Sequence, residues 1–156
     1  MQSTTLFSAL LLCAATATAQ AAETDDSIAR GSAIYRRPGM CITCHQAQGN
    51  GVPAVYPPLT AGSWVGKDAE LLVQIVLHGL QGPLVIGGKP FKSAMPGMAA
   101  QLKDQDIADV LSYVRSAWGN TGAAVSVEVV SKVRADHAAR KTMWTAKELK
   151  IVDAKP

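Results

Sequence analysis

Two cysteines and a histidine stand close together in the segment Cys41-Ile42-Thr43-Cys44-His45. Two thiols separated by two residues lie on one helical turn, so each can add across one vinyl group of the same haem. The histidine that follows is then held against one face of the iron, for which neutral imidazole is a strong ligand. The spacing therefore predicts one covalent haem c, with Cys41 and Cys44 as thioethers and His45 as an axial ligand.

The same Cys-x-x-Cys spacing occurs in two other kinds of site. A thioredoxin-like dithiol follows a strand within a βαβ unit, whereas residues 26–40 carry a helical pattern. A structural zinc site needs four ligands, and only two cysteines remain once the amino-terminal segment with Cys13 is set aside. Haem attachment is therefore favoured over a redox dithiol and over a zinc site.

A methionine is the expected ligand on the other face of the iron. The segment 93–98 contains Met95 and Met98. A thioether opposite histidine is a soft, neutral donor that favours ferrous iron and so raises the reduction potential. Pro96 restricts Met95 to an extended backbone, which can present the sulfur from a loop. Met95 is favoured, and Met98 is the alternative.

Three further groups are considered as partners of the iron or of His45: a backbone carbonyl in the following loop, His78 and His137. The stretch 46–66 is rich in glycine and proline and is predicted to be a loop. A carbonyl in or near Pro57-Pro58 is a candidate acceptor for the ring N–H of His45; the alternative is a surface turn without that bond. His78 is expected to interact with the negative end of its helix rather than with iron, and His137 to lie on a solvated face.

Apolar periodicity predicts helices over residues 25–37, 68–78 and 104–118. Asp104 is the expected N-cap of the third helix. A small hairpin is predicted over residues 84–91, where Gly-Gly suits a two-residue turn. These elements would place the haem turn and the Met95 loop between helices.

The carboxyl-terminal part departs from this plan. Ser126 can cap a helix over residues 127–140, and residues 144–149 are expected to add a short helical turn. This tail is expected to pack against the domain, the alternative being contact with a partner. We therefore divide the chain into a domain over residues 22–121 and a helical extension over residues 122–156.

The amino-terminal residues 1–21 are predicted to be a signal peptide. An apolar run from Leu6 to Ala15 precedes two small-x-small cleavage sites, at residues 17–19 and 19–21. The run is too short for a membrane span. The sequence thus predicts export, with no transmembrane anchor in the mature form.

Composition limits the classes of partner and of core. The formal net charge of +3 is spread without a basic run, so nucleic-acid binding is not expected. Aromatic residues make up only 5% of the chain. A haem would supply apolar surface that this core otherwise lacks.

The order of these features resembles the class I cytochrome c family, and specifically the single-haem domains of periplasmic quinoprotein dehydrogenases or their partners. The residues that carry the resemblance are Gly31, Tyr35, Cys41 to His45, Pro57-Pro58-Leu59, Met95-Pro96 and Tyr113. The resemblance implies an all-α fold of three to five helices around one covalent haem ligated by His45 and Met95, here with a small hairpin and the extension. It also implies that Gly31 and Tyr35 meet Val110 and Tyr113 where the first and last core helices cross.

For function, the resemblance implies an exported, periplasmic one-electron carrier rather than an enzyme. Its donor would be a periplasmic dehydrogenase, and its acceptor a terminal oxidase or another cytochrome. Four lysines are candidates for steering an acidic partner: Lys67, Lys89, Lys92 and Lys103. The alternatives are a cytochrome subunit held permanently in a dehydrogenase complex and a haem enzyme or gas sensor with an open iron site.

Overall fold

The computed structural model describes residues 24–60, 64–66 and 68–151. The predicted signal peptide, with its cleavage sites, and Lys67 lie outside these residues. Within them no helix is long and apolar enough to cross a membrane.

Helices form the framework. In the described residues they are α1 over residues 24–35, α2 over Cys41–His45, α3 over Ala69–His78, α4 over Asp104–Ser116 and α5 over Val127–Asp136, with a 3₁₀ turn at Trp64–Gly66. The helices that we predicted are all present. Those ending at residues 35, 116 and 136 stop two to four residues earlier than expected, where turns begin.

The cap of α4 differs from the prediction. Lys103, not Asp104, is the N-cap residue, and the Asp106 carboxylate accepts a hydrogen bond from the Lys103 backbone N–H at 3.0 Å. Asp104 is the first residue inside the helix, where its carboxylate pairs with Arg134 at 2.6 Å. A negative side chain remains favourable there, at the positive end of the helix.

Short strands accompany the helices, so the all-α prediction holds only for the framework. The strands are β1 over Gly79–Gln81, β2 over Leu84–Ile86, β3 over Lys89–Phe91, β4 over Met95–Pro96 and β5 over Trp144–Thr145. Strands β2 and β3 form the predicted hairpin. Strand β1 lies between β4 and β5 in a second sheet.

The prediction of a helical turn at residues 144–149 was wrong for its first two residues. Trp144 and Thr145 are extended because they pair in parallel with Leu80 and Gln81 of β1. Turns follow from residue 146 to residue 150. The free edge of β1 thus overrides the local preference of the tail.

The predicted crossing of α1 and α4 is confirmed for Gly31, Tyr35 and Tyr113, and the contact with Val110 stays a prediction. A Cβ atom on Gly31 would overlap the Asp109 carbonyl and lie 2.9 Å from Cβ of Tyr113. The rings of Tyr35 and Tyr113 meet edge to face with centroids 5.6 Å apart. Only glycine at position 31 allows the two helices to approach this closely.

A buried carboxylate fixes the same crossing. The Asp109 side chain accepts hydrogen bonds from Ser27 Oγ at 2.6 Å, Arg30 Nε at 2.6 Å and Gln105 Nε2 at 2.9 Å. Burial raises the pKa of Asp109, but the hydrogen bonds from Arg30, Ser27 and Gln105 outweigh it and hold the pKa below its usual value. The carboxylate is therefore ionised at neutral pH.

The tail packs against the rest of the molecule, as we expected. Val130 and Val133 of α5 are fully buried, and α5 contacts both α3 and α4. Arg115 of α4 donates to the Ala123 carbonyl at 2.8 Å and to the Val65 carbonyl at 3.0 Å. The connection to α5 is thus held against α4.

Candidate haem site

An apolar crevice that is partly open to solvent runs between α2, α3, the β2–β3 hairpin, β4 and α4. All four predicted site residues line it: Cys41, Cys44, His45 and Met95. Most of the remaining wall consists of aliphatic and aromatic side chains. The fold therefore gathers the predicted residues around one cavity.

His45 is held by a backbone carbonyl, as predicted. Its Nδ1 atom lies 3.0 Å from the Pro57 carbonyl oxygen. Because a carbonyl can only accept, Nδ1 carries the proton and Nε2 keeps a lone pair. Burial lowers the pKa of His45 even though the Pro57 carbonyl acts in the opposite direction. The imidazole is thus neutral at pH 7, the form that binds a metal.

Neighbouring contacts fix the chain around His45. Tyr35 donates a hydrogen bond from its hydroxyl to the Gln46 carbonyl at 2.7 Å. The Gly51 N–H donates to the His45 carbonyl at 3.0 Å, and Gly51 has a φ of 63°, which favours glycine. The loop after α2 therefore turns back over the histidine and brings Pro57 to it.

The two cysteines are unbridged and half-buried. Burial raises the pKa of Cys41 to about 11. Catalytic dithiols need a thiol whose pKa is lowered, and the motif follows a helix and a turn instead of a strand. In the part of the chain that the structure describes, no group of three or more histidine, cysteine or acidic side chains could hold a metal ion. Neither alternative reading of the motif is supported.

Both candidate methionines line the crevice. Met95 belongs to β4 and is paired with Leu80 of β1. Met98 follows in the next turn, where its N–H donates to the Val76 carbonyl at 2.8 Å. The choice of Met95 over Met98 stays a prediction.

The other two histidines do not line this crevice. His78 is in the last turn of α3, as expected, with its ring 6.3 Å from that of His137. The prediction of a solvated His137 was wrong. This residue is half-buried, its Nε2 lies 3.1 Å from Gln74 Nε2, and its ring is 5.2 Å from Trp144. The approach of β5 to α3 encloses it.

The residues present fit a covalent haem. The wall is apolar, two thiols on one helical turn border it, and a neutral imidazole contributes a free Nε2. A thioether is available from Met95 or Met98. Imidazole and thioether are the donor pair of electron-transfer haems.

Comparison with known proteins identifies the family of the chain. The family profile described as cytochrome c matches residues 28–118. The chain belongs to the cytochrome c family. Members of this family bind haem c covalently and transfer electrons.

One similar protein is cytochrome c-552 of Thermus thermophilus, which is 35% identical over 116 residues, covering 69% of this cytochrome and 86% of that protein. Others are subunits of dehydrogenases. The cytochrome c subunit of alcohol dehydrogenase (quinone) from Gluconacetobacter polyoxogenes is 35% identical over 96 residues, 60% of this chain and 20% of that subunit. The gluconate 2-dehydrogenase cytochrome c subunit of Pantoea cypripedii is 32% identical over 135 residues, 83% of this chain and 29% of that subunit. The chain thus matches only a small part of these larger subunits.

Proposed function

We propose that this cytochrome is an exported, periplasmic one-electron carrier between a dehydrogenase and a downstream acceptor, either a terminal oxidase or another cytochrome. Residues 1–21 would direct export, residues 22–121 would form the class I cytochrome c domain, and residues 122–156 would form its extension. One haem would be attached through Cys41 and Cys44. Its axial ligands would be His45 and Met95.

The observation that carries this proposal is the hydrogen bond between His45 Nδ1 and the Pro57 carbonyl. It lies beside an apolar crevice that both His45 and Met95 line. The bond fixes both the tautomer and the ring orientation, and so presents Nε2 as a ligand. When bound, haem supplies a one-electron couple. The chain's own contribution is to attach it, orient it and exclude water from it.

The donors and the wall both favour a high reduction potential. Imidazole and thioether are neutral, so neither compensates the additional positive charge of the oxidised state. Apolar side chains around the site also stabilise this charge less well than water would. The arrangement therefore suits a carrier that accepts electrons from a dehydrogenase.

Exposed cations near the crevice suit a weak, transient complex. Lys89, Lys92 and Lys103 are solvent-exposed, and Lys89 belongs to the hairpin that borders the crevice. Such charges accelerate encounter with an acidic partner more than they strengthen the complex. Electron transfer to such a partner should therefore slow as ionic strength rises.

A spectroelectrochemical titration of the mature protein, produced with a haem-ligation system, tests the function. We expect a c-type reduced spectrum and a single one-electron wave, about 59 mV per tenfold change in the ratio of oxidised to reduced protein. The reduced protein should not bind carbon monoxide. Rapid carbon monoxide binding would favour the gas sensor or haem enzyme instead, and colourless protein would contradict any haem function.

The similarity to dehydrogenase subunits favours a second candidate, a cytochrome held permanently in a dehydrogenase complex. Gel filtration of a native extract separates the two. A carrier should elute at the mass of the mature chain, whereas a permanent subunit should elute with dehydrogenase activity.

A further inference from the structure

The carboxyl-terminal tail pairs with β1, the strand that lies next to the strand containing Met95. Strand β1 lies in the middle of a sheet with the order β4-β1-β5. Leu80 of β1 is opposite Met95 on one side and opposite Trp144 on the other. A shift of β5 would therefore pass to β4 through one strand of three residues.

A second contact from the tail holds the chain after β4. Arg134 of α5 donates from Nη1 to the Ala99 carbonyl at 3.1 Å and from Nη2 to the Leu102 carbonyl at 2.9 Å. Its Nε pairs with Asp104 at 2.6 Å. A planar guanidinium can serve three acceptors at once, which a lysine cannot do in the same geometry. Arg134 thus fixes the segment that follows the two methionines.

The same segment is also hydrogen-bonded to α3. The Met98 N–H donates to the Val76 carbonyl at 2.8 Å, and the Ala99 N–H donates to the Leu77 carbonyl at 3.3 Å. At Gly97 a Cβ atom would lie 2.6 Å from the Leu77 carbonyl oxygen, so the two backbones are in close contact. The methionine segment is therefore held by contacts with both α3 and the tail.

Strand β5 is itself held in place by charged side chains. Arg140 donates to the Met143 carbonyl at 2.9 Å, and its guanidinium lies 3.3 Å from the ring centroid of Trp144. Glu148 accepts from the backbone N–H of Thr145 at 2.8 Å. These contacts keep the tail extended where it pairs with β1.

We propose that α5 and β5 position Met95 in the crevice, with Arg134 as the main positioning residue, so that the tail sets how readily an external ligand replaces the methionine sulfur. This rests on the proposed function, because it requires haem in the crevice with Met95 as an axial ligand. A two-residue strand has little structure of its own. Its withdrawal must therefore break contacts made by more distant elements. In the exchange the iron–sulfur bond breaks, an iron–nitrogen bond to the external ligand forms, and no electron is transferred.

Imidazole binding to the oxidised holoprotein tests the proposal. In Arg134→Leu we expect at least about tenfold tighter imidazole binding, equivalent to about 1.4 kcal/mol, and a weaker absorption band of methionine–iron coordination. Arg134→Lys should fall between this variant and the unaltered protein. The matched control is Lys132→Leu on the same helix, because the Lys132 side chain is 62% exposed and its ammonium pairs with Asp136 at 2.7 Å. Its imidazole affinity should change by less than about twofold.

A second, surface variant keeps the proposal testable if Arg134→Leu does not fold. Glu148 is 44% exposed, and Glu148→Ala should loosen β5 and tighten imidazole binding by about threefold. Thermal unfolding of each variant identifies a merely structural role, which would lower the Tm without changing imidazole affinity. If Arg134→Leu and Glu148→Ala, or whichever of them folds, bind imidazole with unchanged affinity, the proposal is wrong. Absence of the methionine–iron band from the unaltered protein would overturn the proposed function as well.

Discussion

The two sides of the crevice are built in different ways. On the histidine side, the partners lie close in sequence: Tyr35 contacts the Gln46 carbonyl, and Pro57 contacts His45. On the methionine side, the strand with Met95 depends on Leu80 of β1 and on elements beyond residue 126. The proposed ligand His45 is therefore positioned by local contacts, and the proposed ligand Met95 by tertiary structure.

This difference suggests a division of roles. A ligand fixed by its own turn stays in place as long as that turn is folded. A ligand held by distant elements can be released by local opening, because contacts of this kind break before the whole protein unfolds. Changes on the histidine side should thus affect haem incorporation, and changes on the methionine side should affect potential and ligand exchange.

His45→Ala should have the largest effect. Without imidazole the locally built side has no ligand, so we expect near-complete loss of holoprotein with normal coordination. The check is the visible spectrum and the covalent haem content of the purified protein. Recovery of a normal low-spin spectrum would mean that another residue binds the iron on this side.

Met95→Ala should retain covalent haem but lower the reduction potential on the order of 0.1–0.3 V, within the roughly 0.8 V that axial ligands span. Its reduced form should also gain carbon monoxide binding. The matched control is Met98→Ala, because Met98 lines the same crevice. This variant should keep the methionine–iron band. The opposite pattern would move the ligand to Met98.

Gly31→Ala probes the helix crossing beneath the histidine side, on the helix that also carries Tyr35. The added methyl would overlap the Asp109 carbonyl, so we expect a loss of about 3 kcal/mol in the free energy of unfolding. Gly66→Ala is the control, because among the described residues outside its own turn no heavy atom lies within 4 Å of its Cβ position. Denaturant unfolding of both variants provides the measurement, and equal stability of the two would contradict the close approach.

Asp109→Asn should give a smaller, pH-dependent loss. The folded pKa of Asp109 is below its usual value, so its contribution is present above the unfolded pKa and disappears as pH falls through the folded pKa. We expect a loss of about 2 kcal/mol at neutral pH. Unfolding curves at several pH values should converge with those of the unaltered protein in acid. A constant difference at all pH values would contradict this role of the carboxylate.

Tyr35→Phe should have the smallest effect. It removes one hydrogen bond to the Gln46 carbonyl while keeping the buried ring, so we expect a loss of about 1 kcal/mol in unfolding free energy. Imidazole affinity at the iron should stay unchanged, since this contact belongs to the histidine side. A clear change in that affinity would break the separation of the two sides.

The histidine side is predicted well from the sequence because most of its contacts are between residues close in the chain. The Cys41 to His45 spacing, the Pro57 carbonyl and the glycine at the α1–α4 crossing each depend on residue type within a short segment or on one steric demand. Helix periodicity was likewise sufficient for α3 and α4. The cap of α4 was misassigned because Lys103 and Asp104 are adjacent, and the cap is defined by backbone geometry and not by side-chain type.

The methionine side could be predicted only in part. The hairpin was predicted from turn chemistry, and Met95, which was predicted from residue type, lines the crevice, while its role as a ligand stays a prediction. The roles of Trp144 and Arg134 were not predicted, because a two-residue strand has no periodicity and an arginine that binds distant carbonyls resembles any other helical cation. The half-buried position of His137 was missed because it depends on β5, the same two-residue strand.

Proton NMR of the reduced holoprotein tests the central claim most directly, because a methionine methyl group held against a haem ring resonates far upfield of other methyl groups. We predict one such resonance in the unaltered protein, lost in Met95→Ala and retained in Met98→Ala. Absence of any strongly upfield methionine methyl resonance from the unaltered protein would contradict coordination of the iron by His45 and Met95.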